Sequence, residues 1–207
     1  MIVKHFFGTV LLAAMTLAVA AESEPPKVEA FFSNPQLDHP ILSPSGKHLA
    51  MRVRGENGRM ALGVFETDNF QKKSAAALQP VIVAAYTNID VDHVRWINDN
   101  RLYFDFEDSK DESNKIPGSA FAVNRDGSQR TQLMTKEYQY VQEAIGSHIK
   151  QRVLPWDYSY YTSLHDGSDD IIVKKNTYSK IDYTITSSRL YRLNTKTRLL
   201  THLIEAG

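Results

Sequence analysis

Apolar and polar residues alternate with a period of two along most of the chain, the pattern of half-buried β-strands. Arg101-Leu102-Tyr103-Phe104-Asp105-Phe106-Glu107 shows it most plainly, with Leu102, Phe104 and Phe106 on one face and charged or polar groups on the other. Similar short runs occupy 48–53, 62–65, 81–84, 92–96, 120–123, 171–173, 189–193 and 199–204. Turn chemistry bounds nearly all of them: Ser43-Pro44-Ser45-Gly46, Asn98-Asp99-Asn100, Asp126-Gly127, Asp166-Gly167 and Asn194-Thr195. Only 136–149 has helical character, and its length suits a connecting segment.

One feature recurs along this pattern. An apolar residue, a short polar side chain and a turn follow one another at Phe65-Glu66-Thr67-Asp68, Val123-Asn124-Arg125-Asp126-Gly127 and Leu193-Asn194-Thr195-Lys196, at intervals of about 60 to 70 residues. A repeat of that size marks units that cannot bury their own faces and must stack. Grouping the runs gives three blade-sized units, at about 40–86, 90–134 and 152–204. The expectation is an all-β fold, a partial β-propeller of about three four-stranded antiparallel blades, with the first strand of each near a central channel.

The N-terminus follows different rules. Lys4 precedes an apolar run that ends in Ala18-Val19-Ala20, the charged, hydrophobic and small-residue regions of a secretory signal peptide over 1–20. A membrane anchor would need about 20 apolar residues, whereas this run is shorter and leads into Glu22, Glu24, Pro25 and Pro26. Residues 21–39 then read as a linker, and the expected location is periplasmic or secreted, with no stable membrane anchor after cleavage. No cysteine is present, so a packed core must supply the stability of the exported chain. Without Lys4 the chain carries 23 basic and 24 acidic residues, a balance that provides no field for nucleic acid or an anionic membrane.

Three segments resemble a known family. Ile41-Leu42-Ser43-Pro44-Ser45-Gly46-Lys47-His48-Leu49-Ala50 resembles the blade signature of the N-terminal propeller in secreted serine peptidases of the prolyl oligopeptidase family. Val94-Arg95-Trp96-Ile97-Asn98-Asp99-Asn100-Arg101-Leu102 is similar to the next blade of those proteins. Tyr191-Arg192-Leu193-Asn194-Thr195-Lys196-Thr197 resembles a third, in the manner of the dipeptidyl and acylaminoacyl peptidases. The resemblance covers most of 30–204. It implies a propeller that gates or positions peptide substrates for a hydrolase domain, with that domain or another protein as partner.

No catalytic residue carries over from it. These peptidases hold their nucleophile in a G-x-S-x-G elbow of an α/β-hydrolase domain, and no such motif occurs in the 207 residues. No cofactor and no metal is expected. Asp105, Glu107, Asp108, Asp111 and Glu112 lack the ordered spacing of a calcium loop and read as a solvated hairpin loop. His39, His48, His93, His148, His165 and His202 never form a zinc-binding pair in sequence and read as scattered surface or strand residues. Trp96 reads as core, Ser43 and Ser45 as turn formers, and Trp156, Tyr158, Tyr160 and Tyr161 as packing on a blade face or between blades, with recognition of a peptide or partner domain as the alternative. The substrate-binding residues stay unassigned. Two other readings remain open: an independent periplasmic module that recruits another chain by strand addition, and a truncated remnant without function.

Overall fold

A computed structural model describes residues 36–72, 79–107, 119–135, 153–182 and 184–206. The expected signal peptide, most of the expected linker, the expected helical stretch 136–149 and acidic residues 108–112 lie outside the described residues.

Twelve strands run in chain order: β1 Leu37–Leu42, β2 His48–Arg54, β3 Met60–Glu66, β4 Val81–Ala84, β5 Asp90–Asn98, β6 Arg101–Glu107, β7 Ala120–Asn124, β8 Thr131–Met134, β9 Tyr158–Ser163, β10 Asp170–Tyr178, β11 Ile185–Asn194 and β12 Leu200–Ala206. They form three four-stranded sheets, β1–β4, β5–β8 and β9–β12, each with its strands side by side in sequence order. All pairings within them are antiparallel. The fold is therefore all-β, with the sheet composition of a partial propeller. One 3-10 turn, Thr67–Gln71, is the helical element among the described residues.

Three of these strands are absent from the sequence periodicity. β1 begins at Leu37, inside the segment expected to be linker, where Leu37 pairs with Val53 and Asp38 with Arg52. Pro40 and a bulge break its alternation. β8 is only four residues long, and β9 is rich in hydroxyl side chains, so neither stands out as an apolar run.

The register explains the recurring sequence motif. Each copy closes the third strand of its sheet, and its short polar residue faces the first residue of the second strand: His48 with Glu66, Arg101 with Asn124 and Asp170 with Asn194. In the second sheet, Arg101 Nη1 donates to Asn124 Oδ1 at 3.0 Å. In the third, Asn194 Nδ2 donates to Asp170 Oδ1 at 2.6 Å. In the first, His48 Nδ1 lies 3.1 Å from Glu66 Oε2, close enough to attract but without hydrogen-bond alignment. The repeat thus encodes a polar clasp at one end of every sheet.

Two apolar layers hold the sheets together. Ala50, Leu62 and Val64 of the first sheet pack with Val91, Trp96, Leu102 and Phe104 of the second. Tyr103, Ala120, Ala122 and Leu133 of the second pack with Ile171, Val173 and Leu193 of the third. Leu62, Leu102 and Phe104 are fully buried, each contributing about 1.5–3 kcal/mol of transfer free energy. Trp96 is core, as its alternation predicts, and its Nε1–H donates to the Ile41 carbonyl at 2.9 Å, tying β5 to β1. Ser43 and Ser45 form a turn whose Gly46 has φ 73°, a left-handed conformation that glycine adopts without strain.

Polar contacts repeat at the junctions. The Ser45 N–H donates to Asp99 Oδ1 at 2.8 Å, from one β-turn to that of the next sheet. Asn98 Nδ2 donates at 2.9 Å to Asp169 Oδ1 and to the Ser168 carbonyl in the following turn. Deepest of all is Arg101, with no solvent exposure. Its guanidinium donates to Thr195 Oγ1 at 2.7 Å and the Thr195 carbonyl at 2.9 Å in the third sheet. Within its own sheet it reaches Asn124 Oδ1, the Gln129 carbonyl and Thr131 Oγ1.

Candidate functional site

β1, β5 and β9 each lie at one edge of their sheet, and β5 touches both of the others. Each of these first strands bulges. In β1 three steps from Asp38 to Ile41 oppose two from Arg52 to Ala50. β5 repeats this from Asp92 to Arg95 against Asp105 to Tyr103. In β9 one extra residue, Tyr161, sits between the partners of Ile172 and Val173. A bulge re-aims side chains and is enriched beside binding sites.

The first two bulges carry the same dipeptide, Asp38-His39 and Asp92-His93. His39 and His93 have φ 49° and 41°, conformations uncommon for a residue with a Cβ. Their side chains are 67% and 63% exposed, and Tyr161 on the third bulge is 57% exposed, so each first strand presents one ring to solvent.

Beneath those rings runs an ion-pair network. Arg52 grips Asp38 with two parallel bonds, Nε to Oδ1 at 2.6 Å and Nη2 to Oδ2 at 2.8 Å, and reaches Asp92 Oδ1 with Nη1 at 2.7 Å. Such bidentate pairing fixes geometry as well as charge. Burial pulls the Asp38 carboxyl upward, but the bonds from Arg52 and His39 outweigh it and leave the group below its ordinary value. His93 Nδ1 lies 2.9 Å from Asp105 Oδ1 and 3.3 Å from Asp92 Oδ2. Thus His93 sits between two carboxylates, where the spacing of histidines had suggested scattered residues. Asp105 is likewise no loop residue: it lies in β6 and is 8% exposed. Hairpin pairing joins Asp38 to Arg52 and His93 to Asp105, and the stacking of two sheets joins Arg52 to Asp92, all from positions 12 or more apart and beyond any local spacing rule.

Asp92, His93 and Asp105 have potential ligand atoms within 4.8 Å of one another. Arg52 already occupies Asp92, so a cation there would compete with a guanidinium. The arrangement fits an oriented imidazole within an ion-pair network better than a metal centre.

Next to this network a cavity of about 230 Å³ opens between the second and third sheets, lined by His93, Arg95, Tyr103, Asp105, Tyr158 and Tyr160. The Tyr103 and Tyr160 rings lie 4.6 Å apart. Burial, followed by the nearby Asp105 charge, raises the Tyr103 hydroxyl far above its ordinary value, so it stays protonated and bonds to the carboxylate. Burial, then Tyr191 and Asp157, push Tyr158 up to about 12. Ligand pockets for drug-sized molecules measure about 300–1,000 Å³, so this cavity suits one side chain or one end of a peptide. Its wall combines an arginine cation, a histidine–carboxylate pair and tyrosine rings.

The aromatic cluster expected to pack on a blade face or between blades divides. Tyr158 and Tyr160 do pack, Tyr158 against Tyr191 and Tyr160 against Tyr103. Trp156 stacks on Tyr178 while remaining 44% exposed, and Tyr161 points outward. The cleft itself was not legible as a site, because it is assembled from five strands, β5 to β9. The recurrence of Asp-His at 38–39 and 92–93 is a local signal for the two bulges beside it, and the sequence reading did not use it.

Among the described residues no helix is long and apolar enough to cross a membrane. No protein-family model matches the chain, and no curated protein sequence matches it significantly. Among solved structures, it is similar to Pyrococcus horikoshii acylaminoacyl peptidase in its orthorhombic crystal form, at 16% identity and a TM-score of 0.48. The similarity covers 83% of this chain and 25% of that one, so the chain spans about a quarter of that peptidase.

Proposed function

We propose that this chain is an exported, propeller-type recognition scaffold that holds one end of a short peptide at the first-strand cleft. In the peptidase setting that the resemblance implies, the bound peptide is gated or positioned for a hydrolase domain that supplies the chemistry. The observation that carries this reading is the cleft wall, where Arg95, the His93–Asp105 pair and three tyrosines line one cavity. Arginine suits a peptide carboxylate, the carboxylates suit an amino group or peptide N–H, and tyrosine rings suit an apolar side chain. No G-x-S-x-G elbow is present to make the chain a peptidase of this family by itself.

Calorimetric titration with free and end-blocked tri- and tetrapeptides tests it. Binding is expected to weaken about 10-fold or more in Arg95→Ala and His93→Ala, in line with the loss of a charge-assisted hydrogen bond. Affinity unchanged in both variants would overturn the assignment. A second reading rests on β12, which pairs with β11 alone among the described strands and whose Leu203 and Ile204 are exposed. There a partner chain would add a strand. Peptide binding blocked by changes in β12, with the cleft variants unaffected, would favour that reading.

A further inference from the structure

Charges of both signs meet at the cleft, and the two signs are not equally open to a ligand. The carboxylates already have partners. Asp105 is recessed at 8% exposure, lies 2.9 Å from His93 Nδ1 and also accepts from the Tyr103 hydroxyl. A carboxylate has no proton to give, so His93 Nδ1 is the donor of that pair. Asp92 is held by Arg52 Nη1 at 2.7 Å and lies 3.3 Å from His93 Nδ1. An incoming ammonium group would have to displace these donors, and leaving buried polar groups unpaired is costly.

Arg95 is the opposite case. It lines the same cavity, it is exposed, and among the described residues it forms no ion pair. Of the five N–H donors of a guanidinium, one on Nη1 is used, donating to the Val94 carbonyl at 2.7 Å. That bond orients the group and leaves Nε and Nη2 without partners among the described residues. These are the two nitrogens with which Arg52 grips Asp38. Ser159, on the β9 wall, likewise has no side-chain hydrogen bond among the described residues. Beside these donors the wall is apolar: the Tyr103 and Tyr160 rings lie 4.6 Å apart, next to Ala120 and Met134. The Arg95 charge acts on the Tyr103 hydroxyl, so fork and rings adjoin.

We infer that the cleft reads the carboxy-terminal end of a peptide: the terminal carboxylate seats on Nε and Nη2 of Arg95, and the last side chain lies against the Tyr103 and Tyr160 rings. Bidentate arginine–carboxylate pairing is short, strong and fixed in orientation. A cavity of about 230 Å³ has room for one end residue. Fork and rings side by side match a residue that carries both a carboxylate and an apolar side chain, as the last residue of a chain does. An internal glutamate supplies the carboxylate alone. This inference rests on the peptide-binding reading proposed above and selects the end that is bound.

Calorimetric titration of the purified chain with Ala-Ala-Phe in four forms tests it: both ends free, the amino end acetylated, the carboxy end amidated, and both ends blocked. Acetylation is expected to leave affinity unchanged, and amidation to weaken it about 10-fold or more, in line with the loss of a charge-assisted hydrogen bond. Arg95→Ala should bring acid and amide to the same weak affinity. Arg95→Lys keeps the charge without the fork and should recover only part of the difference. His93→Ala strips Asp105 of a partner and sets its charge against the ligand, so it should cost the acid more than the amide. Both residues are exposed, and cooperative thermal unfolding of each variant establishes that it folds. An amide that binds as tightly as the acid, or binding that needs the free amino group, would overturn the inference. If that binding is still lost in His93→Ala, the cleft stands as the peptide site and only the choice of end fails. Affinity restored in the amide of Ala-Glu-Phe would assign the fork to a side-chain carboxylate and overturn the terminal reading. No binding of any form would overturn both.

Discussion

Arg101 offers the sharpest test of how the second and third sheets are joined. Arg101→Met keeps an apolar stem of similar length in the same space and removes the guanidinium. Two of the acceptors it leaves behind, the Thr195 carbonyl and Asn124 Oδ1, belong to buried residues, Thr195 with no exposure and Asn124 with 7%. Losing a partner costs a buried acceptor about 1–3 kcal/mol. Against this, burial disfavours the Arg101 charge, with Asp169 as its electrostatic counterweight, so deleting the charge recovers part of a desolvation cost. The balance is a loss of about 2–4 kcal/mol, which in a protein of this size lowers Tm by about 5–15 °C. Arg101→Lys retains the buried charge but cannot reproduce the forked contacts, and it should be at least as damaging, about 3–5 kcal/mol. Thermal and urea unfolding of both variants, with Thr195→Val completing a double-mutant cycle, measures the effect. The Arg101–Thr195 coupling should fall at about 0.5–3 kcal/mol. A Tm within about 2 °C of the parent for both variants, or a lysine variant close to the parent, would refute the reasoning.

Three further outcomes follow from the same structure. Hydrogen bonds hold the Asp38 and Asp169 carboxyls below their ordinary values against the opposing pull of burial; stability from such groups is complete above the unfolded value of about 3.9 and is lost as pH falls through the lower folded value. Urea midpoints should therefore drop in that acid range, with a smaller drop in Asp38→Asn. Gly63→Ala places a methyl 2.6 Å from Val53 Cγ2 and 3.1 Å from Pro80 Cβ, so unfolding measurements should show a loss of about 1–3 kcal/mol, and an unchanged Tm would mean that the β2–β3 pair yields freely. Leu12→Arg interrupts the hydrophobic region of the expected signal peptide, and cell fractionation should find the precursor retained in the cytoplasm.

The sequence carried the class of fold because period-two runs and turn residues are local. Leu102-Tyr103-Phe104 announces a strand, and Ser43-Pro44-Ser45-Gly46 announces the turn before one. The recurring motif located the end of each third strand for a physical reason, since Glu66, Asn124 and Asn194 each complete a clasp to the start of the second strand. β1 escaped notice because Pro40 and the His39 bulge break alternation, and β9 because Tyr158 to Ser163 consists of tyrosine and hydroxyl residues with no apolar run and a bulge at Tyr161. The site was mostly hidden. Arg52 and Asp92 meet only because two sheets stack, and His93 finds Asp105 only across a hairpin. Arg101 stood in plain view within a family-like segment, yet nothing local distinguishes a buried arginine that bridges two sheets from an exposed one in a turn.

The most direct test of peptide recognition at the first-strand cleft is an NMR titration of the isotope-labelled chain with a peptide that binds. Shift changes concentrated at His93, Arg95, Tyr103 and Tyr160, with β12 resonances unmoved, are the predicted result. Changes confined to the β12 edge, or none at the cleft under saturating peptide, would contradict it.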